Sequence, residues 1–236
     1  DQARTVLREV KLLKEMASNQ GKEMTGPLHI GLIPTVGPYL LPYIVPTLKE
    51  TFPDLEVFLY EAQTHQLLEQ LETGRLDCAI VARVPETEAF IEVPIFDEKM
   101  LLAVSDQHPW ASESKIAMNT LKGQEMLMLD DGHCLRNQAL DYCFTAGAKE
   151  DSHFQATSLE TLRNMVAANA GITFMPELAV LNEGTRAGVK YIPCHSPEPS
   201  RTIALVYRPG SPLRNRYERV ASAVSEQVKS ILANKK

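Results

Sequence analysis

Short apolar runs recur along the 236-residue chain, and between them lie stretches whose apolar positions return every three or four residues. The runs read as buried strands and the intervening stretches as amphipathic helices. LHIGLIPTVG (28–37) is a strand ending in a turn, and LLPYIVPTLKETFP (40–53) is a helix broken or kinked at Pro46. LEVFLYEA (55–62) is a strand, followed by a helix THQLLEQLETGR (64–75) whose first turn Thr64 can cap. LDCAIVARV (76–84) is again a strand, and EVPIFDEKMLLAVS (92–105) gives two more. HPWASESK is a loop, and MLMLDDG (126–132) is a strand that runs into GHCLRNQALDYCF (132–144), a helix.

A second set of units follows. HFQAT (153–157) reads as a strand and TSLETLRNMVAANAG (157–171) as a helix, with a Thr157-x-x-Glu160 capping box and Gly171 as its stop. GITFMPE, VKYIPC and RTIALVYRP are strands. SPLRNRYERVASAVSEQVKSILA (211–233) is a last helix whose Tyr217, Val220, Val224, Val228 and Ile231 form one buried stripe. Apolar strands alternating with helices predict βαβ units and a parallel sheet covered on both faces. No Gly/Ser linker separates the two sets, so the expectation is two α/β lobes that exchange strands, with a cleft at the carboxyl ends of those strands.

The first residues behave differently. Ala3, Val6, Val10, Leu13 and Ala17 are spaced 3, 4, 3, 4, the seam of a two-stranded coiled coil, and an ordinary amphipathic surface helix fits them equally well. The chain opens on Asp1 inside this helix, which reads as a cut start. The composition is that of a soluble globular protein, 44% hydrophobic and 23% charged. A net charge of −6 argues against the chain itself clamping nucleic acid. No apolar run reaches membrane-span length and no signal peptide opens the sequence, so a cytoplasmic location is expected.

Candidate chemistry concentrates in GHCLRNQALDYCF. Cys134 follows Asp130-Asp131-Gly132 at a helix start, where free backbone N–H groups and the helix dipole favour a thiolate, and His133 or Arg136 is near enough in sequence to help. A half-exposed structural cysteine is the plainer alternative. Cys143 shares the i, i+4, i+8 stripe of Leu135 and Ala139 and should be buried. Nine residues advance a helix by roughly 13–14 Å, whereas a disulfide needs Cα atoms within about 7 Å. Either the two thiols are unrelated, or bonding them takes the helix apart. Cys78 lies in an apolar strand as core, and Cys194 is a partly buried bystander. Adjacent pairs such as Cys194-His195 aim poorly at one ion, so no metal is expected, and no cofactor fingerprint is present.

GPLHIGLIPTVGPYLLP, EAQTHQLLEQLETGRLDCAIVA and SLETLRNMVAANAGITFMPE, in that order, resemble the effector-binding domain of LysR-type transcriptional regulators. The resemblance covers essentially the whole chain. It implies a periplasmic-binding-protein-like α/β fold, two Rossmann-like lobes joined by two crossing strands. Residues 1–24 would end a linker helix, residues 25–97 with 203–236 would form lobe I, and residues 98–202 lobe II. GHCLRNQALDYCF with RTIALVYRPGSPLR is similar to the hydrogen-peroxide-sensing members of that family.

What the resemblance implies is a stoichiometric redox switch and not an enzyme. Cys134 would be the peroxide-reactive residue and Cys143 the resolving one. Thr35, Thr64, His133, Arg163 and Arg201 would line the peroxide pocket. Taken on sequence alone, the threonines are simple helix caps, and the arginines could equally be solvated surface charges. The implied partners are hydrogen peroxide, further copies in a homodimer or homotetramer, DNA through an absent N-terminal domain, RNA polymerase, and a thiol reductant such as glutaredoxin. Two other classes remain open: a thiol peroxidase that turns over, and a domain that senses a small organic ligand without cysteine chemistry.

Overall fold

The computed structural model describes Val10, residues 24–181 and residues 188–233, with the side chains of 143–146 and 151–153 outside that description. The heptad-like seam therefore lies outside the described residues, except for Val10. Along the chain run β1 (Gly26–Leu32), α1 (Gly37–Thr51), β2 (Leu55–Glu61), α2 (Thr64–Glu72), β3 (Cys78–Ala82) and the long β4 (Ile91–Ser105). Next come β5 (Glu125–Leu129), α3 (Cys134–Ala146), β6 (Lys149–Ala156), α4 (Leu159–Ala167), β7 (Thr173–Pro176) and α5 (Glu177–Leu181). β8 (Val189–Ile192), β9 (Ser200–Tyr207) and α6 (Arg214–Ala233) complete the order. The Cα atoms cluster into two compact units, Asp1–Phe96 with Thr202–Lys236, and Asp97–Arg201.

In the first unit β1 pairs in parallel with β2 and β3, and β3 pairs antiparallel with β9. The sheet is thus mixed, where alternation of strands and helices alone predicted a parallel one. Every residue of β3, CAIVA, is buried, as a strand covered on both faces requires. A Cβ at Gly31 of β1 would stand 2.6 Å from Leu67 of α2 and 2.7 Å from Leu76, so glycine lets the helix lie directly on the strand. Helix α1 starts earlier than expected and runs unbroken through Pro42 and Pro46. Pro38, Pro42 and Pro46 all lie on its exposed face, where carbonyls left without an N–H partner meet water, while Leu40, Ile44 and Leu48 face the core. Against α1 packs α6, with Tyr217, Val220, Val224 and Val228 buried, whereas Ile231, expected to complete that stripe, is only half-buried in the last turn.

The second unit is built on β4, antiparallel to both β7 and β8, and on the parallel pair β5–β6. β4 is one strand of 15 residues where two were expected. The charged Asp97-Glu98-Lys99 resembles a turn, but the strand's alternation continues through it: Asp97 and Lys99 are exposed and Glu98 is buried. Helix α4 is capped by Ser158, whose Oγ accepts from Thr161 N at 3.2 Å, rather than by Thr157. It stops at Asn169, which takes the left-handed φ of 58°, and not at Gly171. Gly171 serves packing instead, since a Cβ there would meet Leu127 at 2.9 Å. The two units meet along the chain at Phe96/Asp97 and Arg201/Thr202, each one residue before the boundary read from sequence.

Candidate functional site

Strand β5 ends when Asp130 N donates to Ala156 O, and Gly132, at a φ of 93°, turns the chain into α3. Cys134 is the first residue of that helix and is only 8% exposed. It therefore stands among the backbone N–H groups that a helix leaves unpaired at its start. His133, also buried, places Nε2 3.1 Å from Asp130 Oδ1, within ion-pair range but without hydrogen-bond alignment. The first turn closes with Arg136 N donating to His133 O at 2.9 Å.

Leu135 in the first turn, with Ala139 and Leu140 beyond it, seats the helix on the unit's core. The guanidinium of Arg136 engages two carboxylates. Its Nη2 donates to both carboxylate oxygens of Glu150 in β6, at 2.8 and 2.9 Å, and Nη1 lies 3.3 Å from Asp131. Near the other end, Tyr142 Oη donates to Ser200 O at 2.9 Å and accepts from Ser200 N at 3.2 Å. A cavity of about 540 Å³ opens beside this clamp, with Met118, Asn119, Gln138, Asp141, Tyr142 and Pro197 in its lining. Cys143 belongs to α3, so the helix rise sets the two cysteines about 13–14 Å apart along its axis. The expected burial of the Cys143 side chain lies outside the described residues.

Thr35 and Thr64 belong to the first unit, and both are buried. Thr35 lies in the tight turn between β1 and α1, where Ile33 O accepts from Val36 N and Gly37 N. Thr64 is the first residue of α2 but does not cap it. Gln63 precedes the helix, and its N–H donates to Gln66 Oε1 at 3.2 Å. The Thr64 hydroxyl is buried with no hydrogen-bond partner among the described residues.

The two arginines are not solvated surface charges. Arg163 is buried in α4, donating to Glu160 at 2.9 Å and to Ala179 O of α5 at 2.8 Å. Arg201, at the start of β9, is paired with Glu98 of β4, with Nε and Nη2 at 2.8 and 2.7 Å from Oε2. The other Glu98 oxygen accepts from Leu178 N at 3.0 Å in the first turn of α5. Sequence reasoning overlooked Glu98, Glu150 and Tyr142. The strand alternation could have pointed Glu98 inward, but nothing local couples Arg136 to Glu150 or Tyr142 to Ser200.

Cys78 is fully buried, and burial, followed by the nearby Asp77 carboxylate, pushes its thiol pKa well up. Cys194 is also fully buried, not partly, with its pKa pushed up to about 11 by burial and secondarily by Glu198. Among the described residues no three His, Cys, Asp or Glu side chains gather as metal ligands, and no helix is long and apolar enough to cross a membrane.

Residues 21–229 match the family of LysR substrate binding domains. The chain is 93% identical over 232 residues to the hydrogen peroxide-inducible genes activator of Haemophilus influenzae, covering 98% of this chain and 77% of that protein. Crystal structures of the oxidized and reduced forms of OxyR are similar to it at 63% and 60% identity. Both have a TM-score of 0.81 and cover 88% of this chain and 98% of theirs.

Proposed function

The chain belongs to the LysR substrate-binding family, and on that premise we propose that it is the hydrogen-peroxide-sensing regulatory domain of a transcriptional regulator. The observation that carries this reading is the placement of Cys134 at the start of α3, with Cys143 nine residues along the same helix. Peroxide reacts at Cys134. The thiolate attacks one peroxide oxygen, the O–O bond breaks, and hydroxide leaves as the sulfur becomes a sulfenic acid. The Cys143 thiol then displaces that hydroxyl as water, giving a Cys134–Cys143 disulfide. Each sulfur loses one electron, and peroxide ends as two molecules of water.

The nine-residue spacing makes the second step conformational. Helix α3 has to unwind to bring the sulfurs together, and the disulfide holds an arrangement that packing alone does not favour. Binding and orienting peroxide is the part that the resemblance implies for His133, Arg163 and Arg201, and likewise for Thr35 and Thr64. The unpartnered Thr64 hydroxyl suits a small polar oxidant.

A thiol reductant such as glutaredoxin returns the pair to two thiols, so each molecule reports one event and does not turn over as an enzyme. The altered segment changes how copies pack in a homodimer or homotetramer in the cytoplasm. That repacking alters how DNA-binding domains sit on DNA and meet RNA polymerase.

The test is alkylation and mass measurement before and after a brief low dose of peroxide. The expected result is the loss of two alkylation sites, mapping to Cys134 and Cys143, and no loss in Cys134→Ser. An unchanged count in the parent chain overturns the reading. So does a sustained peroxide turnover with reductant at enzymatic rates.

A further inference from the structure

Resting on the function proposed above, we propose that the Arg136–Glu150 ion pair is the latch of the switch. It positions the first turn of α3 and sets the rate of disulfide closure without affecting the first attack on peroxide. The pair is bidentate, with side chains 15% and 21% exposed, and Arg136 lies two residues after Cys134. Glu150 is held in β6 opposite Met126 of β5, immediately before that ladder loses its regular register. The latch therefore ties the mobile side of the reaction, the first turn, to the sheet of its own unit. It also closes a loop from 136 to 150 that contains Cys143.

The two chemical steps differ in what they ask of this pair. Sulfenic acid formation makes one S–O bond at Cys134 and needs no backbone movement. Condensation needs the two Cα atoms within about 7 Å, and no intact helix provides that over nine residues. Unwinding the first turn carries the Arg136 backbone away from the place where Nη2 meets both Glu150 oxygens. One nitrogen that bonds both oxygens of a carboxylate, at 2.8 and 2.9 Å, keeps both bonds only while the guanidinium stays in that place. Asp131, 87% exposed and 3.3 Å from Nη1, is a looser partner that water competes with.

Removing the Glu150 charge should speed condensation and favour the disulfide at equilibrium. In Glu150→Gln the disulfide should form three- to tenfold faster at a fixed peroxide dose, followed by quenched-flow alkylation. Equilibration with glutathione buffers should shift toward the disulfide by the same factor, a tenfold change being about 30 mV in this two-electron couple. In a Cys143→Ser background, dimedone trapping of the sulfenic acid should proceed at the same rate with and without Glu150→Gln. Arg136→Gln should reproduce the closure effect, the double variant should add nothing to it, and Asp131→Asn should leave it within about twofold.

Unchanged closure and unchanged equilibrium in Glu150→Gln overturn the latch, even if thermal stability falls. Faster sulfenic acid formation in the Cys143→Ser background overturns it as well, because the pair would then act on Cys134 itself. If the parent chain forms no Cys134–Cys143 disulfide, the proposed function fails and the latch with it, a result distinct from either.

Discussion

The described cysteines differ in what surrounds the sulfur, and that difference orders their reactivity. Cys78 and Cys194 are sealed in the core, with thiol pKa values raised by burial, that of Cys194 to about 11. At pH 8 a thiol of pKa about 11 is ionised to roughly one part in a thousand, and thiolate is the nucleophile. Limited alkylation at pH 8 with peptide mapping should label Cys134 well ahead of Cys194 and Cys78. Cys194 should catch up only as pH approaches 11. Labelling of Cys78 before Cys134 would contradict the assignment.

Thr64 makes the opposite kind of test, because its buried hydroxyl has no hydrogen-bond partner among the described residues. Thr64→Val removes a polar atom whose burial costs about 1–3 kcal/mol when unpaired, so it should hold or raise the melting temperature. Slower oxidation of Cys134 in that stable variant is the expected mark of a residue kept for peroxide. An unchanged rate would leave Thr64 no part in the site. The helix start at Cys134 was legible from Asp130-Asp131-Gly132, because local turn chemistry fixes it. The full burial of Cys194 was not, since it depends on a bridge to the sequence-distant Ile116.

At the scale of single elements, local signals read well wherever a helix or strand carries its own punctuation. The stripe of α6, apart from the half-buried Ile231, follows from its periodicity, and α3 lies within two residues of its expected ends. The errors fall where a neighbour overrides local preference. Pro46 does not stop α1, because its face is the one water covers, and β4 does not stop at Asp97-Glu98-Lys99, because Glu98 finds Arg201. The cap of α4 rests on Ser158, so Ser158→Ala should cost about 1 kcal/mol and lower the melting temperature by about 2–4 °C. Thr157→Ala should leave both nearly unchanged, as calorimetry can decide. Helix α3 is held on the core by Leu135, and trimming it to alanine removes contacts worth about 2–5 kcal/mol at a fully packed site. Leu135→Ala should raise hydrogen exchange across residues 130–145 and form the disulfide faster. Lost protection with an unchanged closure rate would show that unwinding does not limit the switch.

For the whole molecule, the chain passes between its two units at Phe96/Asp97 in β4 and again at Arg201/Thr202 in β9. The alternating pattern made two lobes that exchange strands legible, and the family resemblance implied that the crossing strands are two, but neither gave the antiparallel place of β9 beside β3, which only long-range pairing decides. The Glu98–Arg201 pair stands one or two residues inside the second unit at both passages, with its side chains at 1% and 0% exposure. Two charges removed so fully from water tolerate each other only as a pair, because either alone keeps the whole cost of its burial. Arg201→Met and Glu98→Met should each destabilise the protein by about 3–5 kcal/mol in urea unfolding. The double variant should cost clearly less than the sum, the remainder reflecting the acceptor lost by Leu178 N. Additive losses would mean that the two residues act separately. If Arg201 also serves peroxide, the double variant, compared with the parent under conditions where both are folded, should still oxidise Cys134 more slowly. A parental rate there would assign Arg201 to the fold alone and remove it from the chemistry.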